Sequence, residues 1–132
     1  MEKTIVVLRG VPGAGKTTAA ALFGAPMVAA DDYFYTPSGE YFFDPSRLGA
    51  AHKWCQARVE AHMQGDAPVV VVHNTNVDAK SLSPYEELAG KYGYRLVSLV
   101  VENRHGNDSV HGVPQEKRLQ MAEALKKSIK LI

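Results

Sequence analysis

Cysteine is nearly absent. Cys55 is the only one in 132 residues, so an internal disulfide and a zinc site built from clustered cysteines are both excluded. A reducing, cytoplasmic setting is the expectation. Long apolar runs are missing too. The longest, such as Pro68 to Val72, fall far short of the ~20 residues that span a bilayer. Lys3 precedes the apolar Ile5-Val6-Val7-Leu8, but that run stops at Arg9 and a glycine loop, which argues against a secretory leader. Neither sign of charge dominates: 15 Lys+Arg stand against 14 Asp+Glu, for a net charge of +1. A strongly basic protein that coats nucleic acid is thereby excluded, although a local basic groove is not. Repeats, low-complexity tracts and linker-like stretches are also absent. What remains is an ordinary globular composition, 45% hydrophobic and 22% charged, of a size expected for one domain spanning residues 1–132.

The apolar pattern alternates between strands and helices. Thr4 to Leu8 is a β-branched run expected to form a buried strand. A glycine loop follows, then a helix from Lys16 to Phe23 ended by Gly24 and Pro26. Met27 to Ala30 is a short second strand. Asp44-Pro45 has the form of an N-cap followed by a first-turn proline. Leu48, Ala51, Cys55, Val59 and His62 then fall at helical spacing. Val69 to Val72 is the third strand and Arg95 to Val101 the fourth. Ser83-Pro84-Tyr85-Glu86 has capping-box spacing and is expected to open the helix between them. Pro114 opens a last helix, and Ser128 to Ile132 is a candidate fifth strand. Alternation of this kind predicts a parallel sheet covered on both faces, with ligand loops at the carboxyl ends of the strands.

One of those loops carries a specific pattern. Gly10-Val-Pro12-Gly13-Ala14-Gly15-Lys16-Thr17 matches G-x-x-x-x-G-K-[ST] in full, after a strand and before a helix. At average glycine usage a random chain of this length shows it roughly once in a few hundred. The glycines let successive backbone N–H groups turn inward on phosphate oxygens, and the helix start adds its positive end. Gly10, Pro12, Gly13, Ala14, Gly15, Lys16, Thr17 and Thr18 are therefore the expected nucleotide-triphosphate contacts. Lys16 would reach the β- and γ-phosphates, and the Thr17 hydroxyl would ligate Mg²⁺.

Other strand ends supply further candidates. Asp31-Asp32 follows the second strand, where a carboxylate can take a proton from an attacking hydroxyl or hold a water on Mg²⁺. Capping or a solvated acidic turn is the competing explanation. At the end of the third strand, where many phosphate-loop proteins carry an Asp, this chain has His73 and Asn74. Asn74 can still bond a metal-bound water, and turn formation is the other use for Asn74 and Asn76. His73 by itself is expected to be a hydrogen-bonded strand residue. Residues 102–112 form a polar stretch where a lid would lie, with Arg104 as candidate phosphoryl clamp and Gly106 and Gly112 as candidate hinges. The aromatic group Tyr33, Phe34, Tyr35, Tyr41, Phe42 and Phe43 is expected mainly to pack a compact loop.

Together these residues resemble the kinase-like phosphate-loop domains related to bacteriophage polynucleotide kinase and to the NEDD4-binding protein 2-like proteins. The landmarks are Gly10 to Thr18, Ala30-Asp31-Asp32-Tyr33-Phe34, Asn74-Thr75-Asn76, Glu102-Asn103-Arg104-His105-Gly106 and His111-Gly112-Val113-Pro114. The resemblance implies a three-layer α/β phosphate-loop NTPase fold with strand order 2-3-1-4. It also implies ATP with Mg²⁺, Asp31 as general base toward a 5′-hydroxyl, and Arg104 on the phosphates. The chain departs from that pattern at Phe34, where the kinases carry an arginine, and at Asn74 or His73, where an aspartate is common.

The resulting expectation is a Mg-ATP-dependent phosphotransferase acting on a hydroxyl, with a nucleic-acid 5′-end among the acceptors. Lys16, Asp31 and Arg104 would carry catalysis, Thr17 the metal directly, and Asp32 and Asn74 the metal through water. An ATP-binding module with little or no transfer and a small-molecule, nucleoside-type kinase are the alternatives. Neither a membrane nor a disulfide partner is expected.

Overall fold

The computed structural model describes residues 2–105 and 112–131. Four strands, β1 (Thr4–Arg9), β2 (Met27–Val28), β3 (Val69–Val72) and β4 (Arg95–Val100), form one parallel sheet in the order β2-β3-β1-β4. Helices α1 (Lys16–Ala21), α2 (Leu48–Gln64), α3 (Ala79–Tyr92) and α4 (Gln115–Ser128) connect or follow them. The sheet order is the one expected, and the architecture is that of the phosphate-loop NTPases.

Strand pleating explains the two-sided core, because successive side chains point to opposite faces. Ile5, Val7, Val70 and Val72 meet Ala51, Cys55, Val59 and Met63 of α2 and Tyr85 and Ala89 of α3. Val6, Leu8 and Val71 meet Ala20 of α1 on the other face. The α2 residues recur every fourth position, which keeps one stripe of that helix against the sheet. Val59 is fully buried; burying a side chain of this size stabilises the fold by about 1.5–3 kcal/mol. An Asp at that position would remove this contribution and add an unpaired buried charge.

Several boundaries differ from the sequence expectations. Helix α1 stops at Ala21, and Leu22 and Phe23 form a turn with 85% and 42% exposure. Helix α3 starts at Ala79, not at Ser83: Asp78 Oδ1 accepts from Ser81 N at 2.8 Å and Ser81 Oγ at 2.7 Å, so this cap prevails and Pro84 lies within the helix. Ser128 to Ile132 form no fifth strand among the described residues. Ser128 ends α4, its hydroxyl donating to Leu125 O and Val77 O and accepting from Arg9 Nη2. The sheet therefore ends at β4, where Leu99 and Val100 stay exposed, instead of being covered along its full width. Among the described residues no helix is long and apolar enough to cross a membrane.

The fold sets three chain segments at the carboxyl ends of adjacent strands. These are the loop after β1, the turn after β2 and the residues following β3. Gly10 N donates to Thr75 O at 2.9 Å and His73 N donates to Val28 O at 3.1 Å, so the three segments are tied together by backbone.

Candidate active site at the carboxyl edge of the sheet

The loop between β1 and α1 turns tightly, with Ala14 N donating to Val11 O at 3.1 Å. Two of its glycines are required by geometry. A Cβ on Gly10 would lie 2.8 Å from the Val101 carbonyl oxygen and 3.3 Å from Ala14 Cβ. Gly15, the residue before α1, has φ 100°, a left-handed conformation that costs a side-chain-bearing residue free energy. Ala14 is buried, Pro12 and Gly13 are half-buried, and Thr17 and Thr18 are exposed on the first turn of α1. Lys16 is buried, and its Nζ donates to Gly10 O and Val11 O, each at 2.9 Å. Burial pushes its pKa down to about 8, with the negative charge of Asp31 acting in the opposite direction. The Lys16 ammonium is thus held on two backbone carbonyls of its own loop.

The turn after β2, residues Ala30–Phe34, is a 3-10 helix. Asp32 Oδ2 accepts from Ala29 N at 3.3 Å, so Asp32 caps its own turn. Asp31 is exposed and Oδ1 accepts from Tyr41 OH at 3.2 Å. Tyr41 is held by a bridge to Tyr35; burial, with the Asp31 charge beside it, pushes its pKa up to about 12. The aromatic loop packs around this pair: Phe34 is buried edge-on to Tyr33 and Phe43, and Tyr33 meets Trp54. Tyr35, Phe42 and Phe43 remain 44%, 62% and 50% exposed.

Beyond β3 the two candidate residues diverge. The His73 ring faces the loop, with Nδ1 3.4 Å from Thr17 Oγ1. Desolvation lowers its pKa, with Asp32, Lys16 and Asp31 all close enough to act on it. Asn74 turns the other way. Oδ1 accepts from Ala30 N at 2.6 Å, and Nδ2 donates to Cys55 Sγ at 3.6 Å and Tyr85 OH at 3.4 Å. Asn76, at φ 48°, donates to Leu8 O and Asn74 O. Past β4, Arg104 Nε donates to Glu102 Oε2 at 2.5 Å and is 83% exposed. His105 lies over the loop, its Nε2 3.5 Å from where a Gly15 Cβ would be.

Residues 5–106 match the family described as AAA domain. The chain belongs to that AAA domain family. Human NEDD4-binding protein 2 is 31% identical over 131 residues, which cover 90% of this chain and 7% of that protein. Mouse 2′,3′-cyclic-nucleotide 3′-phosphodiesterase is 33% identical over 101 residues, 72% of this chain and 23% of that one. The AAA domain chain thus spans less than a quarter of the length of these curated relatives. Among solved structures, a chain of the Pnkp1/Rnl/Hen1 complex superposes with a TM-score of 0.62 at 22% identity, covering 90% of this chain and 38% of that one. The Mycobacterium tuberculosis APS kinase CysC in complex with AMPPNP and APS superposes with a TM-score of 0.55 at 13% identity, covering 90% and 68%. At these identities the superpositions establish a shared fold.

In this AAA domain protein the loop residues, Asp31 and Asp32 come together as the motif order implies. Two candidates have protein partners of their own. The Asn74 amide is directed at Ala30 N, Cys55 and Tyr85 in the interior. Arg104 is paired with Glu102 at the surface, so a clamp role requires the guanidinium to leave that partner. Gly106 and His111 lie outside the described residues. The structure adds His73, Tyr41 and His105 to the site. His73 was detectable as the residue directly after a buried valine run; His105 lay in the polar landmark stretch and Tyr41 in the aromatic group, but neither pattern gave them a place beside the loop or Asp31.

Proposed function

We propose that the chain is a phosphotransferase that moves the γ-phosphoryl group of ATP to a hydroxyl acceptor. The observation that carries this reading is the buried Lys16 ammonium inside the glycine loop, within electrostatic reach of the exposed Asp31 carboxylate. A triphosphate laid along the loop meets its backbone N–H groups and the Lys16 charge. The donor set around the loop also fits a divalent ion, since the Thr17 hydroxyl is exposed and the Asp31 and Asp32 charges are nearby. The Thr17 hydroxyl, with Asp31 and Asp32 nearby, would hold Mg²⁺, which would supply positive charge against the charge that develops on the phosphates.

The chain's own groups then divide the work. Lys16 holds the transferring phosphate. Asp31 accepts the proton of the acceptor hydroxyl, and Tyr41 keeps its carboxylate turned to one side through the 3.2 Å bond. Arg104, released from Glu102, stabilises the phosphoryl charge. Most of the acceleration comes from positioning and electrostatics. A nucleic-acid 5′-hydroxyl is the first acceptor to test, with nucleosides second. A non-transferring ATP-binding module is the second reading, favoured by the Arg104–Glu102 pair and by an imidazole at the strand end.

The test is transfer from γ-labelled ATP to 5′-hydroxyl oligonucleotides, to nucleosides and to water. Asp31→Asn should cut transfer by about 10²–10⁴-fold and leave ATP binding intact, whereas Lys16→Met should weaken both. Label on no acceptor, with ATP bound normally, would establish the binding module.

A further inference from the structure

The ring of His73 stands where the sheet delivers a side chain to the metal-binding face of the loop. Its backbone is fixed by the bond to Val28 O, and it is only 9% exposed. Its Nδ1 lies 3.4 Å from Thr17 Oγ1, the hydroxyl that the nucleotide reading assigns to the metal. Two cis ligands of one octahedral ion, each about 2.1 Å from it, lie about 3.0 Å apart. The observed separation therefore needs an approach of only a few tenths of an ångström.

We propose that His73 is a metal ligand and the specificity-determining residue of the nucleotide–metal site, selecting a nitrogen-accepting first-row ion such as Mn²⁺ over Mg²⁺. This rests on the nucleotide-binding reading of the loop. Mg²⁺ is a hard ion that takes oxygen ligands and gives up its waters reluctantly; imidazole suits Fe, Ni, Cu and Zn best, and Mn²⁺, the first-row ion nearest to Mg²⁺ in its preference for oxygen, is the most stringent probe of a nitrogen ligand. A neutral ring also brings no negative charge, so it offers Mg²⁺ less attraction than a carboxylate at the same place. An imidazole nitrogen that carries no proton has a lone pair to offer an ion, and the Nδ1 edge of the ring is the one turned toward Thr17. Among the described residues no three His, Cys, Asp or Glu side chains gather to hold an ion alone. Phosphate oxygens must therefore complete the shell, and the ion binds only together with nucleotide.

The test is electron paramagnetic resonance of Mn²⁺ with the full chain, with and without a non-hydrolysable ATP analogue whose binding is first measured in metal-free buffer. The ternary complex should show ¹⁴N modulation of an imidazole, which changes to the ¹⁵N pattern when the protein is labelled with ¹⁵N-histidine. His73→Asp should abolish it and lower the Mn²⁺-to-Mg²⁺ affinity ratio about tenfold or more. The labelled wild-type spectrum stands even if that variant folds poorly. Nucleotide and Mn²⁺ binding without nitrogen coupling would overturn this proposal alone. Coupling lost in His105→Gln but kept in His73→Asp would also overturn it, by moving the ligand to the other histidine near the loop. Absence of nucleotide binding would overturn the loop reading and this one with it.

Discussion

Asn74 offers the sharpest test of how the site is built. Its amide joins the turn after β2 to α2 and α3 through one accepted and two donated bonds. In Asn74→Ala the Ala30 N–H loses its acceptor at a position only 5% exposed. Leaving a buried donor unsatisfied costs about 1–3 kcal/mol. The cavity left by the truncated side chain adds roughly 1 kcal/mol, while Tyr85 OH keeps its bond to Cys55 Sγ at 3.3 Å. The total is about 2–4 kcal/mol. With a urea m-value of about 2 kcal/mol/M, the unfolding midpoint should fall by about 1–2 M, read by circular dichroism. Asn74→Asp is the discriminating partner. It keeps an acceptor for Ala30 N but loses the donors to Cys55 and Tyr85 and places a charge in the interior, so it too should be destabilised at pH 7. If Asn74 belonged to the metal shell instead, Asn74→Asp would strengthen metal-dependent nucleotide binding at unchanged stability. That result, or an unmoved midpoint in Asn74→Ala, would refute the reasoning.

Gly10→Ala should destabilise the protein by about 1–3 kcal/mol and weaken ATP binding. Its Cβ meets a backbone carbonyl at 2.8 Å, and that residue is anchored by the Val101 N to Arg9 O bond of 2.7 Å; thermal melts and calorimetric titration with ATP check both effects. Asp78→Ala should cost about 1 kcal/mol at pH 7 by uncapping α3. The bonds from Ser81 hold the Asp78 pKa below the usual carboxylate range, so the stabilisation is complete above that range and disappears as pH falls through the lowered value. Parallel urea titrations at neutral pH and near pH 2 should show the difference between Asp78→Ala and wild type closing on acidification.

The local parts of this protein were legible because their causes are local. The valine runs, the alternation of strand and helix and the glycine spacing from Gly10 to Gly15 express period, sterics and phosphate geometry within a few residues. They determined the α/β class and the position of the loop, and the family resemblance carried the strand order. Helix limits were less legible where two caps competed. Asp78 and Ser83 both carry capping chemistry, and the bonds that Asp78 makes with Ser81 decide the start of α3.

What tertiary structure alone decided is the direction of side chains at the strand ends. His73 and Asn74 are adjacent at the strand end where an acid is common, and by sequence Asn74 is expected near the metal and His73 in a strand hydrogen bond. Pleating sends neighbours to opposite sides, so one ring faces Thr17 and the other amide faces Cys55 and Tyr85. The same holds for long-range partners: Tyr41 reaches Asp31 only because the aromatic loop folds back, and Ser128 ends α4 on Arg9 across nearly the whole chain. Such contacts depend on the packing of distant segments, and no short-range pattern encodes them.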